Sequence, residues 1–259
     1  MSGRIDIAVA DGLAIVELMN SERRNAISTV MWNEIAAFCR RAEQDDAIRV
    51  VMIRGNGDRF SAGADISDFE DARSDHTNAQ GYDDLVELTC RAIEALPQPT
   101  MAAIRGHCLG AGASLAASCD LRIASHDASF GVPAARLGLG YDIRGIERFR
   151  AVFGANATME LLFTASRMSA ERAYALGAVN VLTSPDRFDD EARRLADVMI
   201  ANAPLTIRAA KAALRAIRSG DPSLRAIADD LAKAADRSDD YREGRAAFAA
   251  KRAPAFKAR

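Results

Sequence analysis

Two bends rich in small residues carry the chemistry that this sequence offers. The first, FSAGADI at 60–66, follows the apolar run RVVMI at 49–53, and the second, LGAGASLAA at 109–117, follows TMAAI at 100–104. Each bend lies where a buried strand is expected to give way to a helix. N–H groups at the start of a helix have no acceptor within it and carry the positive end of its dipole. Two such helix starts facing one pocket can bind one oxygen atom between two donors, as in an oxyanion hole.

Close packing is the alternative explanation for small residues between a strand and a helix. A single GxG is a weak indication of a ligand site, and the repetition of the arrangement makes the site hypothesis more specific. The sequence has neither a P-loop lysine nor a G-x-G-x-x-G motif after a first strand, which argues against a phosphate or dinucleotide cradle.

The elements around the bends follow an α/β pattern. IDIAVADGLAIVELM predicts a hairpin that turns at Asp11 and Gly12, and a helix over 28–44 is expected to begin at a cap on Ser28 or Thr29. Strands and helices then alternate, with further elements expected at 82–96 (helix), 100–104 (strand), 120–125 (strand) and 143–153 (helix). Paired strands followed by a helix predict stacked ββα turns and not a Rossmann sheet.

The pattern changes after residue 185, where only amphipathic helices are expected, at 187–202, 204–217, 222–237 and 239–250. We therefore predict a ββα core over 1–185 and a helical oligomerisation region over 186–259. This region is too small to bury its apolar faces by itself, so it should pack on the core and on a second copy of the chain. The apolar residues expected to be buried in this way are Leu195, Val198, Leu214, Ile227 and Leu231.

The composition argues against a nucleic-acid-binding, membrane-bound or metal-binding protein. The 259 residues include 34 Lys and Arg against 36 Asp and Glu, and no basic stripe carries aromatic residues, so no nucleic-acid partner is expected. No uncharged run approaches a membrane span of about 20 residues, and the start lacks the apolar stretch of a signal peptide, so we expect a cytoplasmic protein without a membrane partner. Reduced, buried thiols and no metal site are expected, because neither CxxC spacing nor a histidine cluster accompanies Cys39, Cys90, Cys108 and Cys119.

The bends together resemble a known family. FSAGADI followed by AAIRGHCLGAGASLAASCDLRIAS is similar to the two signature regions of the crotonase (enoyl-CoA hydratase/isomerase) superfamily. The likeness continues in RRNAIS at 23–28, ELLFTASRMSAERAYALGAVNVL at 160–182 and DYREGRAAFAAKRAPAFKAR at 240–259. It implies a crotonase-like ββα spiral core with a C-terminal helical trimerisation region, assembled as trimers or dimers of trimers. It also implies an acyl-CoA thioester substrate, with coenzyme A belonging to the substrate and no separate cofactor.

The resemblance also assigns roles to residues. The oxyanion N–H groups would belong to Ala64 and Ala111. Arg24 and the pair Lys251 and Arg252, the latter from the same or another subunit, are candidates for the nucleotide phosphates, and the alternative is that they are solvated surface charges. The residues expected to contact coenzyme A are Arg24, Ala26, Ala62, Ala64, Asp65, Ile66, Ser67 and Lys251.

The carboxylates of a hydratase are missing. A hydratase needs one carboxylate to activate water and one to supply a proton. The resemblance places them at Ser114 and Ala134. Serine can hold a water or a substrate hydroxyl, but neither residue can act as a carboxylate base, so efficient hydration by the usual mechanism is not expected.

Asp142 is the next candidate for proton transfer. Related isomerases and a dehalogenase carry a working acid at the matching position, although an aspartate before a helix at 143 also suits an N-cap. Tyr141 is similar to the tyrosine in the V-P-Y-N segment of methylmalonyl-CoA decarboxylase, whose histidine in FSAGHD is Ala64 here. We expect Asp142 to be partly desolvated, with a raised pKa, and to move a proton between the α- and γ-carbons of a thioester.

The sequence thus predicts an acyl-CoA enzyme that stabilises a thioester enolate, of the isomerase type more than a standard hydratase. The alternatives are a decarboxylase for a malonyl-type thioester, in which loss of carbon dioxide forms the enolate without a base, and a non-catalytic CoA-ester-binding protein. His107 is expected to be a wall residue beside the pocket. The acidic residues Asp68, Glu70 and Asp71 are expected to form a solvated face.

Overall fold

The computed structural model describes residues 3–67 and 76–259; the acidic stretch at 68–71 lies outside them. In this part of the chain the strands are β1 (Arg4–Ala10), β2 (Leu13–Met19), β3 (Val50–Gly55), β4 (Thr100–Ile104), β5 (His107–Leu109), β6 (Leu121–Ser125), β7 (Ser129–Gly131), β8 (Arg167–Ser169) and β9 (Val181–Thr183). The helices are α1 (Thr29–Ala42), α2 (His76–Ala95), α3 (Ala111–Ser118), α4 (Ile143–Thr164), α5 (Ala170–Ala175), α6 (Phe188–Ala201), α7 (Pro204–Ser219), α8 (Pro222–Asp236) and α9 (Asp239–Ala249).

The strands form two sheets, and the chain alternates between them from β4 to β7. The larger sheet has the order β1-β2-β3-β4-β6-β9 and is parallel except for the β1–β2 hairpin, and the smaller sheet has the order β5-β7-β8. The chain runs from β4 through β5 into α3, and from β6 through β7 into α4. Strands β4 and β6 of the large sheet are therefore each followed by a short strand of the small sheet and then by a helix. This is the predicted α/β fold of stacked ββα turns.

Local sequence features account for several element boundaries. The hairpin turns at Asp11 and Gly12, which both have positive φ, as predicted. The hydroxyl of Ser28 accepts a hydrogen bond from Met31 N and begins α1, also as predicted. The helix expected to end at residue 153 continues to Thr164, but Gly154 has φ 77° and ψ 163°, so the helix is broken there.

The large sheet is covered on both faces. One face packs against α1, α2 and α3 around fully buried side chains such as Trp32 and Phe60. The other face packs against Phe188, Ala192 and Ala196 of α6. The first helix beyond residue 185 thus completes the core of the sheet, and the division of the chain at that point stays a prediction.

The last helices leave apolar residues exposed in the single chain. Lys211 Nζ anchors α7 to the core through Asp120 Oδ2 at 2.6 Å. Val198, Leu214 and Ile227 are nevertheless 49%, 69% and 52% exposed, whereas Leu195 packs against the sheet and Leu231 is half-buried. The prediction that these residues are buried is therefore met only in part by a single chain.

All four cysteines are buried and unpaired. Burial raises the pKa of Cys39 and Cys119 to about 12 and that of Cys90 to about 11, so these thiols remain protonated at neutral pH. Within residues 3–67 and 76–259, none of the helices has the length and apolar character needed to cross a membrane. In the same part of the chain, no three His, Cys, Asp or Glu side chains are grouped so as to hold a metal ion.

Candidate active site

The two bends lie side by side. Ser61 N donates a hydrogen bond to His107 O at 2.8 Å, and Leu109 N donates to Ser61 O at 3.0 Å, which pairs Ser61 with Cys108 in a parallel bridge. The first bend therefore continues the small sheet next to β5, although these segments are more than 40 residues apart. The end of β5 leads directly into the second bend.

Glycines make this close contact possible. Gly63 and Gly110 have φ 118° and 48°, a region that side chains rarely adopt. A Cβ on Gly63 would lie 4.0 Å from Ala111 N, so the first bend lies against the start of α3. A Cβ on Gly112 would lie 2.6 Å from Ser61 Cβ, so Gly112 is required for packing of the bends and not for a ligand.

The N–H groups of Ala64 and Ala111 are free to bind a ligand. Ile27 N donates to Gly63 O at 2.8 Å, and Asp65 N donates to Ile27 O at 3.0 Å. Because successive N–H groups of extended backbone point to opposite sides, the N–H of Ala64 points away from Ile27. Ala111 is the first residue of α3 and has no intrahelical acceptor. Among the turns, loops and caps of the described residues, neither N–H donates a backbone hydrogen bond, and their role as oxyanion donors stays a prediction.

Asp65 fixes the first bend from inside. It is 4% exposed and accepts hydrogen bonds from Arg23 Nη1 at 2.6 Å, Ser67 Oγ at 2.8 Å and Asn20 Nδ2 at 3.2 Å. Burial raises the pKa of Asp65, but the hydrogen bonds from Ser67, Arg23 and Asn20 outweigh it and hold the pKa below its usual value. Ile66 is 72% exposed on the outer side of the bend. Of the residues predicted to contact coenzyme A, Asp65 thus offers only its backbone.

The predicted phosphate-binding cations lie in different places. Arg24 is exposed beside the first bend, where its carbonyl accepts a hydrogen bond from Ala62 N at 3.0 Å. Ala26 is buried, so its side chain is closed to a ligand. Lys251 is exposed after α9, and Arg252 is ion-paired with a glutamate of that helix. No hydrogen bond or ion pair of the described residues joins Lys251 to the bend, so the single chain does not bring them together.

His107 is hydrogen-bonded to the first bend through its carbonyl oxygen, and three arginines lie near enough to affect its charge. Its Nδ1 is 3.2 Å from Ser129 Oγ. Burial and the positive charges of Arg167, Arg59 and Arg24 lower the pKa of His107, so the imidazole is neutral at pH 7. Its role as a wall residue beside the pocket stays a prediction.

A hydrogen bond joins Ser114 to Tyr141. Ser114 follows Ala111 by three residues and therefore lies on the same face of α3. Its Oγ is 2.8 Å from Tyr141 OH, and the tyrosine ring packs 5.7 Å from the ring of Phe149. Burial raises the pKa of Tyr141 in spite of the Ser114 hydrogen bond, so the phenol stays protonated. Ala134 is buried and has no polar atom to add. The uncharged pair of Ser114 and Tyr141 thus includes a position at which the resemblance places a carboxylate.

Asp142 caps α4 and is paired with an arginine. Its Oδ1 accepts hydrogen bonds from Arg144 N at 2.8 Å and Arg144 Nε at 2.9 Å, and the same guanidinium binds Asp84 at 2.9 Å. The hydrogen bonds from Arg144 lower the pKa of Asp142 below its usual value. The predicted raised pKa is wrong, because the first turn of the helix folds Arg144 back onto the carboxylate.

A charged network lies beyond Tyr141. The guanidinium of Arg148 is 5% exposed and binds Glu87 Oε2 at 2.9 Å and Glu94 Oε1 at 2.8 Å. These side chains line a cavity of about 710 Å³ between α2, α4 and α7 that also contains Arg144 and no residue of either bend. The network gives Arg148 the carboxylate partners that a buried cation requires.

The comparisons with known proteins agree with this geometry. The sequence model described as enoyl-CoA hydratase/isomerase matches residues 8–259. The chain belongs to the enoyl-CoA hydratase/isomerase family. It is an acyl-CoA enzyme of this family, and the resemblance that the two bends indicated is confirmed.

Two relatives and one solved structure illustrate the similarity of this family member. It is 31% identical to a crotonyl-CoA hydratase of Syntrophomonas wolfei, with 94% of each chain covered. It is 33% identical to a probable enoyl-CoA hydratase of Mycobacterium tuberculosis over 97% of this chain and 98% of the relative. The crystal structure of an enoyl-CoA hydratase/carnithine racemase from Magnetospirillum magneticum matches with a TM-score of 0.93 and 34% identity, covering 98% and 96% of the two chains.

Proposed function

We propose that this family member holds the carbonyl oxygen of an acyl-CoA thioester between the N–H groups of Ala64 and Ala111 and protonates the resulting enolate from Tyr141. The observation that carries the proposal is the 2.8 Å hydrogen bond between Ser114 Oγ and Tyr141 OH, on the face of α3 that begins with Ala111. Neutral hydroxyl groups can donate a proton. They are too weak as bases to remove an α-proton at neutral pH.

The reaction that suits this site is loss of carbon dioxide from a malonyl-type thioester. The bond between the α-carbon and the carboxylate breaks, its electron pair forms the enolate, and carbon dioxide leaves. Tyr141 then gives its proton to the α-carbon and recovers one from water. Each oxyanion donor is worth about 10²–10³ in rate in comparable sites. This chemistry needs no metal or redox cofactor, because coenzyme A is part of the substrate.

Hydration is the activity after which both relatives described above are named. It requires carboxylates that this chain replaces with Ser114 and Ala134. We therefore expect crotonyl-CoA hydration to be slow, because neither residue can activate water as a base.

Isomerisation through Asp142, as predicted from the sequence, is the second candidate. Its support is that Asp142 adjoins Tyr141 and that its carboxylate keeps 26% of its surface exposed. The ion pair with Arg144 weakens this carboxylate as a base, because it stabilises the charged form. A CoA-ester-binding protein without turnover is the remaining alternative.

One experiment separates these functions. The wild type, Tyr141→Phe and Asp142→Asn are each incubated in deuterated water with methylmalonyl-CoA, a 3-enoyl-CoA and crotonyl-CoA, and products are identified by mass spectrometry. We expect the wild type to decarboxylate methylmalonyl-CoA with one deuterium on the α-carbon. Tyr141→Phe should lower this rate about 10²–10⁴-fold, as for loss of a general acid, and Asp142→Asn should retain it within a few fold.

Other results would overturn the proposal. Deuterium exchange or double-bond movement in the 3-enoyl-CoA that Asp142→Asn abolishes would assign isomerase activity. Binding of all three thioesters without any turnover would assign a binding protein.

A further inference from the structure

Gly145 occupies an unfavourable position for a glycine. It lies in the first turn of α4, three residues after the cap Asp142. Apart from proline, glycine is the least favourable residue inside a helix, because it loses the most backbone freedom on folding. Its φ is not positive, so the backbone conformation does not call for glycine. The reason must lie in the missing side chain.

The ring of Tyr141 fills the space that a side chain at Gly145 would need. A Cβ built on Gly145 would lie 2.9 Å from Tyr141 Cε1, closer than real Cβ contacts. The ring is also held by Phe149, with centroids 5.7 Å apart, and by the hydrogen bond between its OH and Ser114 Oγ. Tyr141 is half-buried and packs against the main hydrophobic core.

We propose that Gly145 is the position that sets the size of the acyl pocket, because it lets the ring of Tyr141 lie back against α4. This inference rests on the proposed function in one respect, namely that the acyl group extends from Ala111 past Ser114 toward Tyr141. Any side chain at 145 moves the ring forward, shortens the pocket and loosens the hydrogen bond to Ser114. Gly145 is thus a positioning residue for Tyr141.

A matched pair of substitutions tests the packing. Gly145→Ala and Gly81→Ala both replace a glycine inside a helix, and a Cβ on Gly81 would meet nothing within 4 Å. Both gain the same helix propensity, so Gly81→Ala should raise the melting temperature. Gly145→Ala should lower it, and this loss should disappear in a Tyr141→Ala background. Equal shifts in melting temperature for the two glycine variants would overturn the positioning role. A decrease in melting temperature that persists in the Tyr141→Ala background would also overturn it.

Ligand size tests the pocket without any turnover. Calorimetry gives the affinities of the wild type and both glycine variants for two unreactive thioethers, ethyl-CoA and hexyl-CoA. We expect Gly145→Ala to weaken hexyl-CoA binding about tenfold more than ethyl-CoA binding, the lower range for steric discrimination by a methylene. Gly81→Ala should change neither affinity.

If Gly145→Ala left the ratio of hexyl-CoA affinity to ethyl-CoA affinity unchanged, the inference would be overturned even if the decarboxylation assay succeeds. A shifted ratio in a protein that decarboxylates nothing would leave the inference standing and refute only the proposed reaction.

Discussion

At the scale of single residues, buried side chains outside the ligand-facing surface fix the backbone of the candidate site. Asp65 does not face a ligand; it is buried and binds Arg23, Ser67 and Asn20, which fixes the segment that carries the N–H of Ala64. Its lowered pKa means that the ionised form of the Asp65 carboxylate is more stable in the folded chain than in the unfolded chain. Stability from Asp65 is therefore present above the unfolded pKa of about 3.9 and is lost as the pH falls through the lower folded pKa.

Asp65→Asn tests this contribution. At pH 7 it should lower the free energy of unfolding by about 1.5–3 kcal/mol, the usual range for a hydrogen bond to a charged group. Urea unfolding between pH 5 and pH 3 should show a steeper loss of stability in the wild type than in Asp65→Asn. The control is Asp58→Asn, whose carboxylate is 81% exposed and which should match the wild type. If the free energy of unfolding of Asp65→Asn fell with pH as steeply as that of the wild type, the ionisation of Asp65 would not be linked to folding.

Among the elements, α3 depends on its surroundings, because a helix of eight residues is not stable by itself. Arg122 of β6 is buried and donates hydrogen bonds to Ala178 O at 2.6 Å and Cys119 O at 2.7 Å, with Ala116 O at 3.3 Å. Two of these carbonyls lie at the C-terminal end of α3. The guanidinium therefore satisfies free carbonyls and places a positive charge at the negative end of the helix dipole.

Arg122→Met should destabilise the chain by about 3 kcal/mol, because it removes the guanidinium donor from the buried carbonyls of Ala178 and Cys119. Arg122→Lys should recover part of the loss, since it keeps the charge but not the planar fork. The control Arg172→Met removes an exposed pair with Glu160, which should cost at most about 1 kcal/mol. Chemical denaturation gives the three values. Similar losses for Arg122→Met and Arg172→Met would contradict the role at the helix end.

The elements differ in how far local sequence determines them. Strands β3 and β4 were predictable from their continuous apolar runs, and α1 from its cap at Ser28. The three-residue strands β5, β7 and β8 were not, because their pairing depends on contacts between distant segments. The same limit applies to the site. The bends were predictable from their small residues, whereas the bond between Ser114 and Tyr141 depends on how α3 and α4 pack.

At the scale of the whole molecule, helices α7 and α8 carry apolar residues that the described part of the chain leaves exposed. Leu214 and Ile217, on one face of α7, are 69% and 67% exposed, and Ile227 of the adjacent α8 is 52% exposed. Isolated exposed apolar residues are ordinary, but three on neighbouring helices indicate an interaction surface. A homo-oligomer would cover this surface, and both the oligomer and its order stay predictions.

A double substitution tests the surface. Leu214→Asp with Ile217→Asp should shift the protein from an oligomer to a monomer, because two charges would be buried without partners. Light scattering after size exclusion at micromolar concentration gives the mass. Leu176→Asp, at an apolar residue 47% exposed elsewhere, should leave the assembly unchanged. A monomeric wild type would refute the oligomer.

The main-chain pairing of the two bends has a consequence for how this protein can change. The hydrogen bonds that hold Ser61 beside β5 and Ile27 beside the first bend are made by the backbone. Replacements at Ser114, Ala134 or Asp142 leave every one of these bonds in place. New proton-transfer groups can therefore be introduced there, by natural divergence or by directed evolution, without rebuilding the part of the fold that binds the oxygen.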